Sequence, residues 1–323
     1  MDKDKPAKLP TDLAFTRKGG ADGTIVEPTF SGAMSFMRRR YTKDLAGADV
    51  AVVGIPFDLA TTGRPGSRYG PRSVRQGSAM IAWDAVWGWD FDPFERLAVV
   101  DYGDIAIPYG TPMQVAEDIE REFAAIHAQG VKTLMLGGDH YCTWPVLRSL
   151  AAQVGEPLSL IHFDSHSDTW PASDGEVDHG TMFYHAAKQG IVDPARSIQL
   201  GIRTNNKDTL GFNILSAEEV ETMDPDAIAV RVREVVGDRP AYLTFDVDFI
   251  DPAFAPGTGT PVAGGPSTAR TFAILRRLAG LDIRGADVVE VAPAYDSGDI
   301  TALAAATVAL HCVALLAEAK TPA

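Results

Sequence analysis

The sequence predicts an α/β fold, a single-domain three-layer sandwich with a mostly parallel sheet flanked by helices. Short apolar runs alternate with helical patterns along the chain, which is typical of a parallel sheet covered on both faces. At 323 residues, with 46% hydrophobic and 22% charged content, the chain can bury one large core. No composition break or long linker divides it beyond its first residues.

The N-terminal segment differs from the rest of the chain. It is polar, contains Gly19-Gly20 and Pro28, and lacks the apolar segment of a secretion signal. We predict a mobile N-terminal arm over residues 1–28 and one folded domain over residues 29–323.

The elements are predicted from apolar spacing and from the turn formers that end each run. Strands are expected at residues 49–55 and 97–101, from Leu134, from Leu158, and at residues 197–201, 242–246 and 286–291. Helices are expected from about Pro71 and at residues 114–129, 143–154, 225–236, 267–278 and 300–317. The helix over 114–129 ends before Gly130, a residue common just beyond helix ends.

The composition bears on which classes of partner the protein binds and on its cellular compartment. A net charge of −14 argues against nucleic acid and is compatible with a cationic substrate. The longest apolar stretch, residues 301–317, is shorter than the ~20 residues that span a bilayer and contains His311. Only Cys142 and Cys312 are present, so no disulfide framework is implied. We predict a cytoplasmic protein without a membrane partner.

Two further stretches bear on pockets and contacts. The loop over residues 62–71 is rich in turn formers and joins a strand to a helix, a suitable place for pocket residues. Trp83, Trp87 and Trp89 form an aromatic cluster, which is more often core or subunit contact than a ligand cage.

The chemistry centres on Asp164, His166 and Asp168, which directly follow a buried strand. Their i, i+2, i+4 spacing would point all three side chains the same way in extended backbone. Because burying unpaired charge is costly, these groups have no reason to crowd together in an apolar core. A divalent cation would explain them.

Two other strand ends contribute similar groups. Asp246 and Asp248 follow one apolar strand, and His140 follows another through a pair of glycines. The carboxyl ends of parallel strands meet at one edge of a sheet, where sites form. Four carboxylates and two imidazoles are too many for one tetrahedral ion and suit two cations that share ligands. The remaining histidines are predicted to be structural, with His162 facing away from Asp164: His127, His162, His185 and His311.

Several of these stretches resemble the signatures of the ureohydrolases, the arginase and agmatinase family. The signature-like stretches are Gly137-Gly138-Asp139-His140, Phe163-Asp164-Ser165-His166-Ser167-Asp168, Asp178-His179-Gly180-Thr181 and Phe245-Asp246-Val247-Asp248-Phe249-Ile250-Asp251-Pro252. Further matches are Gly257-Thr258-Gly259-Thr260-Pro261 and Val289-Glu290-Val291-Ala292-Pro293, all in the expected order between about residues 30 and 318. The resemblance implies an arginase/deacetylase-like fold, with residues 29–323 as the ureohydrolase catalytic domain.

Within that family the detail is most similar to the bacterial agmatinases. Residues 89–92, 178–184 and 300–307 resemble them. Trp170 stands where arginases carry an Asn that helps hold the substrate carboxylate, which argues against arginine as substrate. Ser165 and Cys142 depart from the usual Ala and Val without altering a ligand position.

The resemblance implies two manganese ions per subunit, which suits a set of hard oxygen ligands with two imidazoles. One ion would take His140, Asp164, Asp168 and Asp246; the other would take Asp164, His166, Asp246 and Asp248. A bridging hydroxide would attack the guanidinium carbon and release urea and an amine, with Asp168 passing a proton to the amine. The family further implies a homo-oligomer, a trimer or hexamer.

Two more residues receive roles. His179 lies in a loop that borders the predicted site and is interpreted as a proton shuttle; the alternative is a surface histidine. Glu290 occupies an otherwise apolar strand and needs a partner. A substrate guanidinium would provide one through paired hydrogen bonds, and the alternative is an internal salt bridge to an arginine.

The leading function is hydrolysis of agmatine to putrescine and urea, a step of polyamine biosynthesis. The nearest alternative is a ureohydrolase for another guanidino compound such as 4-guanidinobutyrate, for which Arg64, Arg68 or Arg203 could hold the carboxylate. A two-metal phosphoesterase is disfavoured because no anion-binding loop is visible and Glu290 would repel phosphate. A non-catalytic metal protein is disfavoured because His179 and Glu290 are both present.

Overall fold

The protein is described here by a computed structural model. It describes residues 28–82, 86–108, 110–173 and 175–319, and the backbone of strands β1 (Thr16–Lys18) and β2 (Thr24–Val26), which pair antiparallel. The rest of the arm predicted over residues 1–28 lies outside the described residues, as does Trp83. The mobility of the arm stays a prediction.

A single eight-stranded sheet organises the described domain, in the spatial order β4-β3-β5-β10-β9-β6-β7-β8. All neighbouring strands in it are parallel. The strands are β3 (Val50–Ile55), β4 (Val99–Asp104), β5 (Lys132–Gly137), β6 (Ser159–Phe163), β7 (Ile198–Ile202), β8 (Asn213–Ser216), β9 (Ala241–Asp246) and β10 (Ile283–Val289).

Helices cover both faces of this sheet, which confirms the three-layer prediction. Along β3, Val50 and Val52 join the core on one face, whereas Ala51, Val53 and Ile55 join the core on the other. Helices α1 (Gly70–Met80), α7 (Pro225–Val236), α8 (Thr268–Arg276) and α9 (Ile300–Glu318) contribute to the first core. Helices α3 (Val115–His127), α4 (Thr143–Val154) and α5 (Met182–Lys188) contribute to the second. Short helices α2 (Pro93–Arg96) and α6 (Ala217–Thr222) complete the described set.

The sequence missed the shortest elements and misplaced several boundaries by two or three residues, as in β4, α3, α8 and β10. Strand β8 and helices α2, α5 and α6 were not predicted, since four to seven residues give too little periodicity to recognise. Strand β10 ends at Val289, so the placement of Glu290 within that strand was wrong. Glu290 has a left-handed backbone with φ of +64°, a conformation that cannot continue a strand.

Helix α9, with 19 residues, is long and apolar enough to span a membrane, whereas the apolar stretch 301–317 was judged too short from sequence. However, 78% of its apolar window is buried within the protein. It packs against α1, α8 and β10, as a core helix does.

The two described tryptophans of the aromatic cluster have different environments. Trp87 is 89% exposed. The indole N–H of Trp89 donates to His311 Nδ1 at 2.9 Å, so Trp89 packs within its own subunit. Of these two residues, only Trp87 remains available as the predicted subunit contact.

Candidate metal centre and substrate pocket

Four consecutive strands of the sheet, β5, β10, β9 and β6, deliver the polar groups to one edge. His140 follows β5, Glu290 follows β10, Asp246 ends β9 and Asp164 follows β6. The turn after β5 requires glycine at position 138, where φ is +45° and an added Cβ would lie 2.5 Å from a backbone oxygen. The fold therefore brings chemically active side chains from distant sequence positions to one place.

The segment that holds Asp164, His166 and Asp168 is a turn, and the prediction of extended backbone here was wrong. Strand β6 ends at Phe163, and Asp168 has φ of +52°. The Asp164 carboxylate accepts the backbone N–H of His166 at 2.6 Å. Such side-chain to backbone bonds compete with strand pairing, and this one folds the segment so that its side chains still converge.

His140 has one ring nitrogen that faces only carboxylates. Its Nδ1 lies 3.1 Å from Asp164 Oδ2, 3.0 Å from Asp168 Oδ2 and 3.4 Å from Asp246 Oδ2. Yet none of these contacts has hydrogen-bond geometry, and Nδ1 is buried without a hydrogen-bond partner.

The other ring nitrogen assigns the tautomer of His140. Nε2 lies 2.8 Å from the Thr244 hydroxyl, which itself donates to Asp287 Oδ1 at 2.7 Å. Because that hydroxyl gives its proton to Asp287, it accepts from Nε2–H, and the neutral ring keeps its lone pair at Nδ1. A lone pair that faces three carboxylates is repulsive unless a cation lies between them, so this arrangement fits a metal ion.

A second group is formed by Asp164, His166 and Asp248. His166 Nδ1 lies 3.0 Å from Asp248 Oδ2 and 3.4 Å from Asp164 Oδ1. Asp248 Oδ1 accepts the backbone N–H and the hydroxyl of Ser165 at 3.0 and 2.7 Å, whereas its Oδ2 has no hydrogen-bond partner. It shares Asp164 with another group, formed by His140, His162, Asp164 and Asp168, so the described residues contain two adjacent groups that could each hold an ion.

The electrostatics of the cluster favour added positive charge. Burial, followed by the charges of Asp248 and Asp164, raises the pKa of Asp246 well above its usual value. Burial lowers the pKa of His166, but hydrogen bonds to Asp164 and Asp248 outweigh it and raise the pKa to about 12. With no ion bound, the cluster therefore holds protons; divalent cations would replace them.

His162 was wrongly predicted to face away from Asp164. Residues two apart on a strand share a face, so alternation itself places them together. His162 Nε2 lies 2.8 Å from Asp164 Oδ2, and the Gln199 amide donates to Nδ1 at 3.0 Å. Both ring nitrogens are thus used in hydrogen bonds, and His162 orients the carboxylate that the two groups share.

Beside the cluster, His179 and Glu290 form a buried pair. His179 Nδ1 lies 2.8 Å from Glu290 Oε1, which also accepts the backbone N–H of His140. Glu290 Oε2 is buried without a partner, and the residue is 1% exposed. No arginine contacts Glu290 and His179 is buried, so within the described residues neither alternative of the sequence analysis holds.

The protonation of His179 is balanced between two neighbours. Burial lowers its pKa, but the hydrogen bond and charge of Glu290 outweigh this and raise the pKa to about 9. Opposing this, the backbone N–H of Thr62 donates to Nε2 at 2.8 Å and needs the lone pair of the neutral ring. Because Nε2 accepts the Thr62 N–H in this geometry, the ring is neutral, and its single proton is on Nδ1, which faces Glu290.

A cavity of about 270 Å³ is lined by His179 and by three residues of the cluster, His166, Asp168 and Asp246. This is near the lower end of the ~300–1,000 Å³ typical of ligand pockets, which indicates a small substrate. No lysine or arginine lines it among the described residues; the lining is Thr62, His166, Asp168, Trp170, Asp178, His179, Gly180, Thr181, Asp246 and Thr260.

The three arginines considered as carboxylate partners are engaged elsewhere. Arg64 donates to the backbone oxygens of Thr258 and Gly259, and its guanidinium stacks on the ring of Tyr295. Arg68 pairs with Asp58. The guanidinium of Arg203 donates to backbone oxygens, including that of Val262 at 2.8 Å. None of them lines the cavity.

Known proteins resemble this chain in sequence and in fold. The model of the arginase family matches residues 48–315. An agmatinase from Chromobacterium violaceum is 48% identical over 305 residues, which are 94% of this chain and 95% of that protein. The crystal structure of a hypothetical agmatinase from Burkholderia thailandensis is 50% identical with a TM-score of 0.90, covering 95% and 97% of the two chains.

A further solved relative differs in its named activity. Proclavaminate amidino hydrolase from Streptomyces clavuligerus is 36% identical with a TM-score of 0.84, covering 91% of this chain and all of that one. The family match spans most of the chain, and the identities are far above the level at which only the fold is shared. The resemblance stated from sequence is confirmed: this chain belongs to the arginase family.

Proposed function

We propose that this protein is a binuclear manganese hydrolase that cleaves agmatine to putrescine and urea. The observation that carries the proposal is the unpaired Glu290 Oε2, buried beside His179 at the edge of a double metal-ligand cluster. A buried carboxylate oxygen without a partner calls for a cation, and a guanidinium supplies paired N–H donors. The relatives named agmatinase, 46–48% identical over most of the chain, support the same reaction.

The proposed metal ligands combine the two groups with Asp246, which lies beside His140 Nδ1, and leave out His162, whose ring nitrogens are both hydrogen-bonded. One manganese ion would be held by His140, Asp164, Asp168 and Asp246, and the other by Asp164, His166, Asp246 and Asp248. Manganese suits this donor set because carboxylate oxygens dominate it. When bound, the ion pair lowers the pKa of water and supplies hydroxide near neutral pH, which a resonance-stabilised guanidinium requires.

The protein's own residues bind the substrate and move its protons. Glu290 Oε2 accepts the guanidinium N–H groups and orients the guanidinium carbon toward the metal centre. His179 holds a proton at Nδ1, and its Nε2 lies 2.7 Å from the Thr62 hydroxyl, which lines the cavity. This contact gives His179 a route to exchange protons with the cavity. Asp168 borders both the cluster and the cavity, so its carboxylate can pass a proton to the departing amine.

The charge of the cavity favours agmatine over 4-guanidinobutyrate. The far end of agmatine is an ammonium group, whereas that of 4-guanidinobutyrate is a carboxylate. No lysine or arginine lines the described cavity, and the candidate arginines donate to other groups. A carboxylate would therefore lack a partner and would face the acidic cluster.

Urea release from agmatine and from 4-guanidinobutyrate, measured in parallel on manganese-loaded enzyme, tests the proposal. We expect agmatine to be the preferred substrate. Glu290→Gln should abolish most of the activity on agmatine while leaving the manganese content unchanged, since Glu290 is outside the ligand groups. Urea release from 4-guanidinobutyrate at an equal or higher kcat/KM would refute agmatine as the substrate.

We also propose a cytoplasmic homo-oligomer, a trimer or hexamer. The almost fully exposed indole of Trp87 supports a subunit contact, because tryptophan is enriched at protein–protein interfaces relative to the rest of the surface. Light scattering of Trp87→Ala tests this: an unchanged molar mass would remove Trp87 from the interface.

A further inference from the structure

We propose that Asp178 determines substrate selectivity by binding the ammonium group at the far end of the substrate. This inference rests on the proposed function and concerns the end of the substrate that does not react. Asp178 directly precedes His179 in the loop that enters α5, and it lines the cavity.

Only one of the two carboxylate oxygens of Asp178 accepts a hydrogen bond from a described residue. Its Oδ1 accepts the backbone N–H of Gly180 at 2.9 Å, and its own backbone N–H donates to the Thr181 hydroxyl at 2.9 Å. Oδ2 makes no hydrogen bond or ion pair with any described residue. The residue is half-buried, so the carboxylate is oriented in advance and retains a free oxygen.

Asp178 is also distinct in its surroundings. Among the described residues that line the cavity, the other acids are Asp168 and Asp246, which belong to the metal-ligand cluster. Asp178 is therefore the one lining carboxylate free to bind substrate. It also lines the adjoining depression, whose other residues include 171–173, 176 and 177 and are largely exposed. This places Asp178 where the cavity meets solvent.

The indole of Trp170 gives the cavity an apolar wall that suits a short methylene chain. Trp170 lines the cavity, and its ring edge would lie 3.6 Å from a Cβ at position 180, so it borders the same loop as Asp178. A substrate with a cation at each end would place its guanidinium at Glu290 and its methylenes along Trp170. The ammonium group would then reach Asp178 Oδ2 as a charge-assisted hydrogen bond.

Three substrates of equal length separate this role from a structural one: agmatine, 4-guanidinobutyrate and n-butylguanidine, whose far end is uncharged. Asp178→Asn keeps an oxygen for the Gly180 N–H and removes the charge. Hydrogen bonds to charged groups contribute enough for a ~10–100-fold change, so kcat/KM on agmatine should fall by about that factor, mainly through KM. On n-butylguanidine it should stay within about twofold of the wild-type value.

The controls make the result decisive. Glu176→Gln removes an exposed acid from the same loop and should leave all three substrates within about twofold of wild type. Asp178→Lys should raise the ratio of 4-guanidinobutyrate to agmatine turnover above that of Asp178→Asn. Equal losses on all three substrates would overturn the inference, since they would mean that Asp178 only positions His179. An unchanged kcat/KM on agmatine would overturn it as well.

The same assay separates this inference from the proposed function. A wild-type enzyme that prefers 4-guanidinobutyrate refutes both. A wild-type enzyme that prefers agmatine, together with an Asp178→Asn variant whose ratio of kcat/KM on agmatine to that on n-butylguanidine is unchanged, refutes only the role of Asp178.

Discussion

Two of the buried charge clusters among the described residues differ in how their charges are paired. In the first, the guanidinium of Arg75 donates two hydrogen bonds to Asp101, at 2.9 and 3.0 Å, and one to Asp104 at 2.6 Å. Asp101 further accepts the backbone N–H groups of Phe36 and Gly103. The chain supplies the cation, and every charged atom named here has a partner.

In the second, the proposed metal-ligand cluster of His140, Asp164, His166, Asp168, Asp246 and Asp248, some charged or polar atoms lack a partner. His140 Nδ1 and Asp248 Oδ2 are buried without hydrogen-bond partners, and four carboxylates converge with no lysine or arginine among them. The same chain satisfies one buried acidic cluster with its own arginine and leaves the other open. The contrast favours cations from solution as the missing partners of the proposed metal-ligand cluster.

The strongest test of this contrast is to remove the ligand that both groups share. Asp164→Asn should lower urea release by more than ~100-fold and lower the metal content, since even changes behind metal ligands cost ~10–100-fold. Metal analysis and kcat/KM on one preparation measure this. A variant that keeps both metals and activity would show that Asp164 does not bridge.

A change in the cluster of Arg75, Asp101 and Asp104 should lower the free energy of unfolding and leave metal binding unchanged. Arg75→Met leaves Asp101 buried without its cation, which costs about 3–5 kcal/mol in unfolding free energy. Denaturant unfolding of the metal-loaded enzyme measures this, and metal content per folded subunit should be unchanged. Loss of metal with unchanged stability would reverse the roles assigned to the two clusters.

A smaller effect is expected from the residue that orients Asp164. His162→Asn removes the Nε2 donor and should weaken manganese affinity by ~10–100-fold, so that activity recovers at high metal concentration. A metal titration of activity measures it. Activity that stays low at saturating manganese would mean that His162 takes part in a step other than metal binding.

The smallest effect concerns a buried histidine with no carboxylate partner. Burial lowers the pKa of His127 to about 4, and its ring contacts the hydroxyls of Ser149 and Thr133. Between pH 6.5 and about 4 the unfolded state binds a proton that the folded state does not, so stability falls as pH falls. His127→Gln should remove up to ~1.4 kcal/mol per pH unit from this slope. Identical slopes of unfolding free energy against pH would contradict the assignment.

Much of the site could be read from sequence because polar groups follow apolar strands. His140, Asp164 and Asp246 were predicted at strand ends, and the parallel sheet brings those ends together. What could not be read is the local backbone. The bond from the His166 N–H to Asp164 turns a segment that alternation treats as extended, and the left-handed conformation of Glu290 ends β10 early.

Other features depend on contacts that only the folded chain supplies. The donation from Thr244 to Asp287, which sets the tautomer of His140, joins residues on neighbouring strands β9 and β10. The free oxygen of Asp178 becomes meaningful only once the cavity is seen to lack other unengaged acids. His162 could have been found, since its spacing from Asp164 was visible and the inference drawn from it was mistaken.

The position of β10 has a consequence for biosynthesis. This strand is the last of the sheet to leave the ribosome, yet it lies between β5 and β9 at the centre. Until it is inserted, a nascent chain carries two half-sheets with unpaired inner edges, the kind of edge that promotes aggregation. His140 belongs to one half and Asp164 and Asp246 to the other, so a chain truncated before residue 283 cannot assemble the centre.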